Sequence, residues 1–252
     1  MISRLYGGNI ISRLGEINQN RMGTEMKIIE YNNSSNIVVE FQDKHKAKVR
    51  TTYVNFQRRQ VRNPYDKTVY GVGYLGEGKY KVYIDQEHLE PVYNVWRTLL
   101  GRCCTERHRD QFPAYVDCQV CNEWLCYQNF AQWWNDNMYY VGNERMHLDK
   151  DIKCKGNKVY SPETCIIVPQ SINEIFHISG RKNKDRDLPY TIKRTSRGKY
   201  SVSYKGNILG KYDTVEECTD IYMRAKRKHI KEKVEEMKDE IPEEIKNILL
   251  NW

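Results

Sequence analysis

Residues 148–173 read LDKDIKCKGNKVYSPETCIIVPQSIN, and this stretch decides the architecture of the chain. It opens on an acidic cluster, Asp149 and Asp151 around Lys150, and runs through a Gly156-Asn157 turn into a short apolar run from Cys165 to Val168. Pro169 ends that run, and a segment with a helical pattern carries Asn173. The implied order is strand, loop, strand, helix. Such a unit, folded back on itself, brings Asp149 and Asn173 together across a compact finger. A carboxylate oxygen facing an amide oxygen suits a hard divalent cation such as Mg²⁺. Set against a basic surface, that cation is what phosphodiester hydrolysis requires.

This layout resembles the HNH (His-Me finger) nucleases, in particular the small endonucleases encoded by bacteriophages and mobile introns. The resemblance implies that Asp149 and Asn173 are the metal ligands. Where the family carries its general-base histidine this chain has Lys150, and the family's middle asparagine falls on Thr164. A general base works best with a pKa near the working pH, whereas a free lysine titrates near ~10.4. Lys150 would need a depression of roughly three units, which a neighbouring cation and desolvation can supply and which the flanking aspartates oppose. His147 is the other candidate base. It lies two residues before Asp149, so on a strand it shares that residue's face. The plainer reading of His147 is a surface histidine.

The 252 residues suffice for one large domain or several small ones, and nineteen Tyr against five Phe point to small modules rather than one deep core. No run approaches the roughly 18 apolar residues of a membrane span. The opening MISRLYGGNIISRLGE lacks a signal-peptide core, so a soluble protein without a membrane partner is expected, cytoplasmic and, by the resemblance, in a phage-infected bacterial cell. The net charge is +8, and residues 177–237 hold sixteen Lys or Arg against nine Asp or Glu. A basic surplus so concentrated points to a polyanion, of which nucleic acid is the commonest. A solvated basic helix is the alternative.

Eight cysteines occur, expected to be reduced in a cell interior. Cys118 and Cys121 form a CxxC pair, and Cys154 and Cys165 lie within the finger segment. These four are the thiols a zinc ion would take, yet the second pair is too widely spaced for a knuckle, and buried thiols are the plainer reading.

Four segments follow along the chain: an irregular arm over 1–22, a small β domain over 23–69, a nuclease-like domain over 70–180 and a C-terminal module over 181–252. The arm repeats ISRL at 2–5 and 11–14. Runs at Lys27–Tyr31, Ile37–Phe41 and Lys48–Tyr53 read as strands, and Arg58, Arg59 and Arg62 follow as candidate phosphate contacts. GVGYLG at 71–76 lacks the ending of a phosphate loop. A helix is expected from about Pro91 to Cys103. Trp124, Tyr127, Phe130, Ala131 and Trp134 recur at helical spacing, a pattern that reads as core rather than a base-stacking platform. The whole is α+β and modular.

In the last module three short strands are divided by Ser-Arg-Gly and Lys-Gly-Asn turns, and Thr214 caps a helix with Glu216 and Glu217 in its first turn. Ile245, Ile248 and Leu249 give the tail a short closing helix. The three strands and helix are similar to the ethylene-response-factor type of DNA-binding domain, on Gly198-Lys199-Tyr200, Leu209 to Thr214 and Glu216-Glu217. That resemblance implies duplex DNA against the exposed sheet face, with Lys193, Arg194, Arg197, Lys199 and Lys205 as contacts.

Two functions from different classes follow. The first is a homing endonuclease that binds double-stranded DNA and cuts it with one Mg²⁺ or other divalent cation, nicking as a monomer and cutting both strands as a homodimer or in two sequential events, with monomer and homodimer both open. The second is a catalytically inactive DNA-binding regulator or inhibitor, which Lys150 in place of histidine favours. An RNA-binding protein reusing the same basic surfaces is a third.

Overall fold

Apolar residues alternating between Glu25 and Thr51 build a four-stranded antiparallel sheet, β1 (Ile17–Gln19), β2 (Glu25–Asn33), β3 (Asn36–Phe41) and β4 (Lys48–Thr51), in chain order. The computed structural model describes residues 13–106, 115–177 and 187–252. Met26 and Ile28 of β2 and Ile37, Val39 and Phe41 of β3 are fully buried, and Phe56 of helix α1 (Tyr53–Gln57) joins their core. Thr52 caps α1, its hydroxyl accepting from the Asn55 amide at 3.2 Å.

The expected arm departs from expectation in its described part, because Ile17–Gln19 is an edge strand paired with Glu25–Lys27. The cause is Asn20, only 1% exposed. Its Oδ1 accepts from the Met22 and Thr24 amides, both at 3.0 Å, and its Nδ2 donates to Asp66 at 2.6 Å. A buried side-chain amide therefore shapes the hairpin, as Asx turns do. The first copy of ISRL lies outside the described residues.

The glycine-rich link is a packed strap. A Cβ on Gly73 would stand 2.4 Å from Leu100 Cδ1, and one on Gly76, at φ +74°, 2.5 Å from Cys126 Sγ. Only glycine allows that approach. Leu100 belongs to helix α2 (Pro91–Cys104), whose Trp96 is fully buried and donates from Nε1 to the Trp124 carbonyl at 2.7 Å. Helix α3 (Tyr127–Asn137) carries most of the aromatic stripe. Trp124, Tyr127, Phe130, Ala131 and Trp134 are all buried, which makes them core.

The chain divides into two compact units, Met1–Gln132 and Trp133–Trp252. In the second, β5 (Met146–Asp149) and β6 (Ile166–Pro169) pair antiparallel, with His147 opposite Val168 and Asp149 opposite Ile166. Helix α4 (Gln170–Phe176) follows β6 directly. Strands β7 (Ile192–Arg194), β8 (Tyr200–Tyr204) and β9 (Asn207–Tyr212) form an antiparallel sheet with β8 in the centre. Helix α5 (Val215–Glu236) opens on a full capping box between Thr214 and Glu217, and α6 (Glu243–Leu250) closes the chain's described part.

Helix α5 serves two cores. Near its start Cys218 packs with Ile192 and Val202 of the three-stranded sheet. Near its end Ile230 and Val234 pack with Val168 of β6, Ile172 and Ile175 of α4, and Leu249 of α6. That second core spans the segment boundary expected at 180/181. Among the described residues no helix is long and apolar enough to cross a membrane.

Candidate functional site

Alternation along β5 puts His147 and Asp149 on one side of the strand. Helix α4 starts where β6 ends, and its N-terminus is held by Glu144, whose carboxylate accepts from the Ser171 amide at 2.9 Å and the Ser171 hydroxyl at 2.8 Å. So anchored, α4 aims Asn173 back at β5, and Asn173 Nδ2 stands 3.3 Å from His147 Nδ1. With the amide in this orientation, the ring accepts at Nδ1 and the asparagine oxygen remains for another partner.

Asp149 is held from the other side. Its Oδ1 accepts from the Asp151 and Ile152 amides, both at 2.7 Å, which leaves Oδ2 outside both bonds. Burial pushes this carboxyl above its usual value, and the two amide bonds work against that shift. The three side chains offer a carboxylate oxygen, an amide oxygen and an imidazole. Few protein donors with hard oxygens fit a cation that keeps waters and takes substrate phosphate oxygens, as Mg²⁺ does.

Two expected catalytic residues lie elsewhere. Lys150 is 6% exposed; its ammonium donates to Asp151 Oδ2 at 2.6 Å and sits 5.7 Å from the Tyr160 ring centroid. It follows the last residue of β5, and its ammonium is taken up by Asp151. The Thr164 hydroxyl donates to the Val159 carbonyl at 2.7 Å and so closes the loop before β6. Of the expected zinc thiols, Cys118 and Cys165 are buried and Cys154 is exposed. Among the described residues no group of three or more His, Cys, Asp or Glu is gathered to hold a metal ion.

The five expected DNA contacts occupy different parts of the C-terminal sheet. Lys193 is exposed and pairs in register with Ser201, which pairs with Lys211. Since Ile192 and Val202 face α5, this row faces the other way. Lys199 extends the same side and is ion-paired to Asp213 at 2.9 Å. Arg194 lies in the next row, against the Tyr200 ring at 5.9 Å, and pairs with Asp187. Arg197 is exposed in the turn before β8. Lys205, at φ +47°, sits in the turn before β9 and reaches His229 Nε2 at 3.3 Å. An ammonium only donates, so His229 carries its proton on Nδ1 and donates it to Tyr204 Oη at 2.7 Å. Burial, with Lys205 and Lys233 nearby, lowers the pKa of His229.

No protein-family model, curated protein or solved structure matches the chain. Its site is therefore judged by its own chemistry. Lys211 was not among the expected contacts, because its place beside Lys193 depends on the register of β8 between β7 and β9. Glu144, the anchor of α4, was not among the expected site residues either. The signal for His147 was present, because the two-residue step to Asp149 is the strand period.

Proposed function

We propose that this chain is a metal-dependent endonuclease of the HNH type acting on double-stranded DNA. The single observation that carries the reading is the 3.3 Å approach of Asn173 on α4 to His147 on β5, with Asp149 on the same side of that strand. Asp149 Oδ2 and the Asn173 oxygen would hold one divalent cation. A bound cation stabilises charge that develops on a phosphate during hydrolysis. His147 handles the proton. With Nδ2 of Asn173 donating to Nδ1, as the amide is placed here, the asparagine oxygen is open to the cation and Nε2 carries a proton it can give to a leaving oxygen. With the amide turned over, its oxygen accepts from Nδ1–H, Nε2 has a lone pair for a water proton, and a cation would use that oxygen's second lone pair. Asn173 thus fixes the ring and its tautomer. Lys150 takes no part in proton transfer on this reading, being buried and bonded to Asp151. The row Lys193–Ser201–Lys211 supplies two ammoniums around a small side chain, which suits phosphates.

The rival reading, a DNA-binding protein without catalysis, is favoured by the same Lys150, a buried lysine where the family carries its base. Cleavage of supercoiled plasmid with Mg²⁺ or Mn²⁺, beside EDTA and an Asp149→Ala variant, separates them. The endonuclease produces relaxed circles that require both the metal and Asp149. Tight binding of the plasmid without any relaxation overturns the proposal and leaves the rival.

A further inference from the structure

A groove of about 800 Å³ opens beside the candidate site. Its wall begins at Ile152, the residue whose amide holds Asp149 Oδ1 at 2.7 Å. Ile152, Met223, Ile248 and Trp252 give it an apolar lining. Lys153, Lys155 and Arg227 stand around that lining against a single carboxylate, Glu244. Two ammoniums address one indole: Lys155 Nζ lies 5.6 Å from the Trp252 ring centroid, and the buried Lys226 Nζ lies 4.2 Å from it. Lys226 also contacts the Phe176 ring at 4.8 Å, so its charge stands behind the groove wall, fixed by α4.

The combination selects its occupant. A duplex backbone offers phosphate and sugar, which match the cations and leave the apolar lining unused. A lipid with an anionic head would meet both the lining and the cations, and it is the endonuclease reading that decides against it. An unpaired nucleotide presents a flat base to the apolar lining and a phosphate to the ammoniums, the pattern by which single strands are held. We infer that the groove binds an unpaired nucleotide, its base against Trp252 and Met223 and its phosphate on Lys155 and Arg227, beside the Asp149 site. The inference deepens the endonuclease reading and rests on it for the choice of DNA: the substrate class becomes duplex DNA carrying a single-stranded segment, such as a flap or overhang.

The test uses the full chain in EDTA and fluorescence polarisation with three probes: a blunt duplex, the same duplex with a short oligothymidylate overhang, and the oligothymidylate alone. The overhang should raise affinity roughly tenfold over the blunt duplex, as stacking of one or two bases does. The double variant Lys155→Ala/Arg227→Ala, altered only at exposed side chains, should bring that ratio near one. Lys193→Ala/Lys211→Ala should weaken both duplexes and leave the ratio intact. Equal affinity for the two duplexes overturns the inference while leaving the endonuclease reading standing. So does a ratio that survives in Lys155→Ala/Arg227→Ala. Overhang preference in a protein that never cuts with Mg²⁺ supports the groove and removes the catalytic reading instead.

Discussion

Asp149 is a half-buried acid whose carboxyl is pushed above its usual value by desolvation. An acid with a raised folded pKa is fully compatible with the fold below its unfolded value of 3.8, and its ionisation costs stability as pH rises through the folded value. At neutral pH the charge therefore strains the fold, and Asn in its place keeps an oxygen for both backbone amides. We expect Asp149→Asn to hold or raise the melting temperature at pH 7 by about 1–4 °C while abolishing plasmid relaxation. On the endonuclease reading, Mg²⁺ should raise the melting temperature of the wild type and leave the variant unmoved. A variant that melts lower than wild type would make Asp149 structural. Lys226 is the converse case. Burial and the nearby Lys155 lower it to about 8 from 10.5, so its contribution is complete above pH 10.5 and is lost as pH falls to about 8. Lys226→Met fills a similar volume without the charge, and should stabilise the protein at pH 7 by roughly 1–3 kcal/mol. Its denaturation profile should also lose the rise between pH 8 and 10.5. This lysine's burial has no local signal, because KRK at 226–228 has the composition of a solvated patch. Only the pitch of α5 reveals that its first member faces Phe176 and Trp252.

Among the elements, α5 was the most legible. Thr214 followed three residues later by Glu217 is a capping signature, and the side chains realise it, the Glu217 amide donating to the Thr214 hydroxyl at 3.1 Å. Thr214→Ala should cost ~1 kcal/mol, read as a lower midpoint in urea with an unchanged slope. An unaltered midpoint would mean that Glu217 alone holds the helix start. The aromatic stripe leading into α3 was legible for the same reason, since four aromatic residues and Ala131 at helical spacing specify a buried face. Strand β1 was not. INQ has no apolar alternation, and its pairing depends on Asn20 and Asp66, which lie far apart in sequence. The candidate site was half legible. Strand period gives the His147–Asp149 pairing, whereas the approach of Asn173 depends on how Glu144 seats α4.

At the scale of the molecule, the +8 charge is expressed through position rather than total. Lys193 and Lys211 share one outward row, whereas Arg194 is ion-paired to Asp187 on the other side of the sheet. Lys193→Ala and Lys211→Ala should each reduce the dependence of log affinity on log salt by about one for a duplex probe, with Arg194→Ala reducing it less. Equal slopes for all three variants would assign binding to diffuse charge. The helix joining the two cores has one further consequence. Its 22 residues span ~33 Å, close to the length of one turn of B-form DNA. On the endonuclease reading, with the basic sheet packed on its first half and the β6–α4 core of the Asp149 site on its second, α5 would act as a ruler. The bond to be broken would then lie at a constant offset from whatever sequence the sheet grips, and sliding the gripped sequence along a substrate would carry the cut with it, base pair for base pair.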